Sequence, residues 1–208
     1  QALATMEATL SKMDLLLGGS DPKLTMPEAA LQQLNSHNSK ERVKACKAIQ
    51  ELRCPVAVQD LIARLVESNK DVSKAALGAL VAVGLPAVRP LVERQARSKA
   101  HEGDVFRRTL VAMGSTAVPE LLAELGSEDR RDRAAAIGVL GEAKTADAVP
   151  ALRRCLSDPD KEVRRVTCLA LGEIGPEAIE AAADLRALAN AGDSAIFYAR
   201  AALAKIEQ

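Results

Sequence analysis

The sequence predicts an all-α chain, a right-handed α-α superhelix of about six two-helix repeats led by an N-terminal capping helix. Three observations point there. The chain is 48% hydrophobic, yet its aromatics are limited to Phe106, Phe197 and Tyr198; an apolar set dominated by Ala and Leu suits close-packed helices and supplies few of the β-branched and aromatic residues that strands use. A segment beginning Ala-Val recurs with its second residue at Val58, Val88, Val118 and Val149, and more loosely at Ile179, which are spacings of 30, 30, 31 and 30. An apolar position late in the following segment recurs at Ile49, Leu80, Leu110, Leu140, Leu171 and Leu203, spacings of 31, 30, 30, 31 and 32. Two anchors that keep one period through most of a chain mark a repeat architecture.

Residues 1–24 read as an amphipathic helix. Leu3, Met6, Leu10, Met13 and Leu17 share one stripe, and Gly18-Gly19 ends it. It is expected to cap the array; a partner-binding or membrane-surface helix is the alternative, with Lys12 the sole cation before Gly18-Gly19. The repeats follow over about 25–53, 54–84, 85–114, 115–144, 145–175 and 176–208. In each, a first helix is expected where Val118, Leu121, Leu122 and Leu125 show i, i+3, i+4, i+7 spacing. Pro86, Pro119, Pro150 and Pro176 stand in or before the first turn of such segments, where a missing amide hydrogen costs little. A second helix is expected from Lys161 to Ile174, with Asp160 as its N-cap and Gly175 as its terminator.

Within the second helices, Val163, Thr167, Ala170 and Ile174 fall on one face, as do Val72, Ala76, Ala79 and Val83. Small residues there let neighbouring helices approach, and Gly78, Gly138, Gly141 and Gly172 are expected to thin the surface further. Two short helices cannot enclose their own apolar faces, so each unit needs its neighbour.

The run Asp158-Pro-Asp-Lys-Glu-Val-Arg-Arg-Val-Thr-Cys-Leu-Ala-Leu-Gly-Glu-Ile-Gly175, with Ala148-Val-Pro-Ala-Leu152 before it, resembles the short HEAT-like repeat of phycobilin lyases and bacterial scaffold proteins. The resemblance covers roughly 25–208 and is sharpest over 115–175. It implies a structural ladder in which an Asp or Asn near the inter-helix turn is followed four residues later by Arg. Asn38 with Arg42, Asp129 with Arg133 and Asp160 with Arg164 match; Asn69 keeps the acceptor but Ser73 replaces the Arg. The third repeat has Lys99 and Gly103 instead, in a segment expected to be an irregular loop, Ala96–Gly103.

Chemistry is thinly represented. Cys46, Cys54, Cys155 and Cys168 form no Cys-x-x-Cys pair, and with only His37 and His101 beside them no zinc site is expected; the cysteines are expected to be buried, reduced hydrophobes. Related iron-dependent hydroxylases use several His-Glu pairs, whereas this chain has His101-Glu102 alone. No phosphate loop or nucleophile motif is present, so no catalytic residue, metal or cofactor is assigned. Twenty-eight basic residues balance 28 acidic ones, and no apolar run can span a bilayer. The expected location is the cytoplasm, or an exported compartment if Gln1 is a processed terminus.

The resemblance further implies that second helices line a concave surface. The positions facing away from the core there collect Lys47, Lys74, Asp104, Arg107, Arg108, Arg165 and Arg200, with Arg131 one turn earlier. The resulting expectation is a non-enzymatic bacterial scaffold that binds a protein or peptide, favouring acidic surfaces, with Arg107-Arg108 beside Phe106 as its hot spot. Two alternatives are an auxiliary subunit of a bilin lyase, disfavoured by few aromatics and His, and a nucleic-acid binder resembling HEAT-like DNA glycosylases, disfavoured by balanced charge.

Overall fold

The computed structural model describes residues 26–190 and 194–208; the expected capping helix over 1–24 lies outside the described residues. Among the described residues there is no strand, and helices follow one another in consecutive pairs: α1 (Met26–Leu34) with α2 (Ser39–Leu52), α3 (Val58–Leu65) with α4 (Lys70–Val83), α5 (Val88–Arg97) with α6 (Ala100–Ala112), α7 (Val118–Glu124) with α8 (Arg130–Glu142), α9 (Val149–Cys155) with α10 (Lys161–Ile174), and α11 (Ala182–Asn190) with α12 (Ile196–Ile206). Short 3₁₀ turns such as Pro55–Ala57, Leu85–Ala87 and Ala146–Ala148 lead from one pair to the next. In the first two, Pro55 and Pro86 enter where an amide hydrogen is dispensable. None of the described helices is long and apolar enough to cross a membrane.

The chain divides into two compact units, Gln1–Pro90 and Leu91–Gln208, and the division falls inside α5. In the first unit, α2 packs on α4; in the second, α8 packs on α6 and α10, and α10 packs on α12. Within each unit, the contact therefore runs from one second helix to the next. Val72, Ala76, Ala79 and Val83 of α4, and Val163, Thr167, Ala170 and Ile174 of α10, are all buried, as their spacing predicts. The Thr167 hydroxyl is accommodated because Oγ1 donates to the Val163 carbonyl at 2.7 Å, leaving no buried donor unpaired on that side chain.

Four second helices start alike. Asn38, Asn69, Asp129 and Asp160 sit in extended conformation at the N-caps of α2, α4, α8 and α10, each side chain accepting from backbone amides one turn in. Gly175, at φ 80°, closes α10 with its amide on the Leu171 carbonyl, a conformation in which a Cβ would be strained.

Two expectations need correction. The segment Ala96–Gly103 is not an irregular loop: α5 runs to Arg97 and α6 begins at Ala100, so only Ser98 and Lys99 intervene. Lys99 makes no side-chain cap, yet the helix still starts, since its backbone carbonyl receives the Gly103 amide at 2.8 Å and Phe106 and Leu110 anchor the helix in the core. His101 and Glu102 are exposed in its first turn. The four expected thin positions also differ among themselves. A Cβ on Gly141 would lie 2.5 Å from Ala170 Cα, whereas one on Gly138 would meet nothing nearer than Val166 Cγ1 at 4.0 Å. Close approach thus concentrates at Gly141 and, less tightly, Gly172, where Ala202 Cα is 3.1 Å away.

Candidate functional site

The polar residues of the inter-helix turns do structural work that cannot be read from their spacing alone. The four capping side chains accept from backbone amides, and three of them are followed four residues later by arginines, Arg42, Arg133 and Arg164, that donate to other acceptors. In the first unit, Arg42 donates through Nε and Nη2 to the Glu67 carboxylate and through Nη1 to the Ser36 carbonyl. In the second, Arg133 donates through Nε and Nη2 to Asp158, both at 2.8 Å, and through Nη1 to the Ser127 carbonyl at 2.9 Å. Each guanidinium therefore ties its own turn to the turn 25 residues on, with the forked geometry that only Arg provides. Arg164 instead binds its own turn, donating to the carbonyls of Asp158 and Pro159. Burial pushes the Asp158 carboxyl up, but the Arg133 and backbone hydrogen bonds outweigh it and hold the group below its ordinary range.

The third repeat, which lacks the matching pair, is bridged from elsewhere. Arg97 at the end of α5 donates to Asp132 at 2.8 Å and to Asp129 at 3.1 Å, both at the start of α8. Asp132 is 5% exposed, so this contact offsets the cost of placing a carboxylate in the interior. Arg97, Asp132, Glu67 and Asp158 are the members of this network that spacing did not reveal.

The predicted cationic positions separate into two groups. Arg107 pairs with Asp104 at 2.8 Å and with Glu142 of α8, and Asp104 is held below its ordinary range by that guanidinium. Arg165 forks onto Glu162, which also raises the guanidinium's own proton affinity, and its Cζ stands 5.1 Å from the Tyr198 ring centroid. Arg131 turns back onto Asp129 at 3.0 Å. Arg108 is exposed, its Nε donating to the Asp104 carbonyl. Phe106 is buried rather than displayed beside the doublet. The second group comprises Lys47, Lys74, Arg108 and Arg200, which are exposed and form no ion pair with any described residue.

Lys47 and Lys74 are brought together. They line a groove of about 510 Å³ between α2 and α4 in the first unit, with Lys40 beside them and Val43 and Ala75 contributing apolar surface. Gln50 lies across Gly78, whose missing side chain leaves room for the amide; a Cβ there would be 3.2 Å from Gln50 Oε1. Among the described residues no group of His, Cys, Asp and Glu is arranged to hold a metal ion. All four cysteines are buried. Burial, with Glu67 nearby, pushes the Cys46 thiol up to about 11, which suppresses its thiolate.

A family model described as HEAT repeats matches residues 27–113 and 118–204. No curated protein matches the sequence. Among solved structures, Kap121p is similar at a TM-score of 0.55 and 14% identity, over 96% of this chain and 26% of that one. Kap95p, in a structure concerned with its binding to RanGDP, is similar at 0.50 and 12% identity, over 87% of this chain and 30% of that one. This chain thus spans between a quarter and a third of those two proteins, and the likeness to them is one of fold. Human deoxyhypusine hydroxylase aligns over 100% of this chain and 99% of its own at a TM-score of 0.44 and 17% identity.

Proposed function

The chain belongs to the HEAT-repeat family, and from that premise we propose that it is a non-enzymatic interaction scaffold, binding a partner protein through the exposed faces of its second helices. One observation carries the reading: helices that bury one face completely keep Lys47, Lys74 and Arg200 in solvent on the other, without internal counter-ions among the described residues. Burying an apolar stripe makes a helix rigid, and a rigid helix presents its remaining side chains at fixed spacing, which lowers the ordering cost of binding. Kap95p, similar in fold, binds a protein, RanGDP. Among the described residues, the buried or turn carboxylates Asp129, Asp132 and Asp158 are committed to a helix cap or inter-helix pairs rather than to a reactive cluster. The partner surface this arrangement fits is acidic, because cations left without counter-ions attract and orient carboxylates.

The test is affinity capture with the full chain and three charge-reversed variants, Lys47→Glu with Lys74→Glu, Arg108→Glu with Arg200→Glu, and Arg154→Glu on α9. Arg107 is left alone because its pairing with Glu142 joins α6 to α8. Far-ultraviolet circular dichroism is expected to be the same for all. A partner captured by the parent chain and by the α9 variant, and lost from one or both second-helix variants, supports the scaffold. Loss from the α9 variant alone would overturn it.

A further inference from the structure

The two groups of cations differ in a way that singles out one place. In the second unit, Arg97, Arg107, Arg131, Arg133 and Arg165 are each neutralised by a carboxylate of the same unit, and the cations of the predicted stripe left without an ion pair, Arg108 and Arg200, stand on separate helices, α6 and α12. In the groove between α2 and α4, Lys40, Lys47 and Lys74 face a single lining carboxylate, Asp71, and none of the three is ion-paired to a described residue. Positive charge is therefore uncompensated in a concavity, where low-dielectric walls focus it.

We propose that this groove receives a short acidic segment of a partner protein, one carboxylate going to Lys47 and another to Lys74, with an apolar side chain between them on Val43 and Ala75. The assignment rests on the scaffold reading above and adds the place and the chemistry of the occupant. Its length follows from the lining. From Ser39 to Gln50 the groove follows α2 for about 16 Å, the reach of about five residues of extended chain. The occupant is peptide rather than nucleic acid on three grounds. The lining has no aromatic ring on which a base can stack. It has no Arg to fork onto phosphate. Asp71 stands in the wall, tolerable to spaced carboxylates and repulsive to a continuous phosphate backbone. Gln50, also in the lining, passes within about 4 Å of the place a Cβ on Gly78 would take and offers its amide as a polar partner for a peptide backbone.

The experiment is a fluorescence-anisotropy titration of the full chain with a labelled hexapeptide of alternating Glu and Leu, its Gln-Leu isostere, and a single-stranded oligothymidylate. The Glu peptide is expected to bind, and to weaken steeply between about 0.05 and 0.5 M salt as the charges are screened. The Gln peptide and the oligonucleotide are expected not to bind. Reversing both lysines (Lys47→Glu, Lys74→Glu) is expected to weaken the Glu peptide about tenfold or more, the combined effect of two exposed charge pairs. Lys144→Glu, in the other unit, is expected to leave binding unchanged. Equal binding of the Gln peptide, tighter binding of the oligonucleotide, no binding of the Glu peptide, or indifference to the double reversal would each overturn the proposal. The capture experiment separates the two claims: partner capture that survives Lys47→Glu with Lys74→Glu but fails with Arg108→Glu and Arg200→Glu keeps the scaffold and removes this groove.

Discussion

Replacing Gly141 by Ala tests the packing of the second helices against a control in the same helix. Gly141 faces α10 so closely that an added Cβ would stand 2.5 Å from Ala170 Cα and 2.6 Å from Ala170 Cβ. Ordinary carbon contacts need about 3.5–4.0 Å, so one helix must move by about 1 Å. Because the obstacle is backbone, no rotamer change relieves it. Overpacking of this kind costs about 1–3 kcal/mol, while Gly→Ala inside a helix returns about 1 kcal/mol of propensity. The net is a destabilisation of up to about 2 kcal/mol, lowering the melting temperature by roughly 2–4 °C per kcal/mol for a chain of this size. Gly138→Ala, one turn earlier in α8, gains the same propensity and meets only Val166 Cγ1 at 4.0 Å. It is expected to raise the melting temperature by a few degrees, the counterpart of about 1 kcal/mol. Thermal and urea unfolding followed at 222 nm compare the two. If Gly141→Ala gains as much stability as Gly138→Ala, α8 and α10 do not meet as described.

Further outcomes follow from the polar network and the thiols. Arg97→Ala strands the buried Asp132 carboxylate and is expected to cost about 1–3 kcal/mol, whereas Arg131→Ala, on an exposed pair, is expected to fall within about 0.5 kcal/mol; urea midpoints compare them. The Asp129 carboxyl is held at about 2, first by the Arg131 side chain and then by the Arg131 amide. Its folded value lies below the unfolded one of about 3.9, so the stabilisation is complete above that value and disappears as pH falls towards 2. Carboxyl NMR titration should give that midpoint, and Asp129→Asn, which keeps the cap, should flatten this part of the acid limb. Cys46, pushed up to about 11, and its three buried companions should resist a thiol reagent at pH 8 in the native chain and react fully in denaturant.

The period, the core faces and the caps were legible because each is a local rule repeated many times. A helix that packs on its successor needs small residues every turn, and Ala76, Ala79 and Ala170 supply them in plain view. Asn38, Asn69, Asp129 and Asp160 announce helix starts because a short acceptor before a helix has one common use. Side-chain pairing across repeats follows no such rule. That Arg107 finds Glu142, or that Arg97 substitutes for the missing third clamp, depends on which neighbouring turn lies within reach. The cationic stripe therefore reads uniformly in sequence, while in the structure most of its arginines are spoken for. What sets Lys47 and Lys74 apart is the groove between α2 and α4, which exists only once the helices are packed.

A crystal structure of the full chain tests the central claim, that within each unit the second helices lean on one another in order. The account predicts Gly141 against Ala170, the Arg133 fork on Asp158 and the Arg42 fork on Glu67, each contact linking neighbouring helix pairs. A structure in which 130–142 or 161–174 forms a strand, or in which α8 packs on a helix other than its immediate neighbours at Gly141, would contradict it.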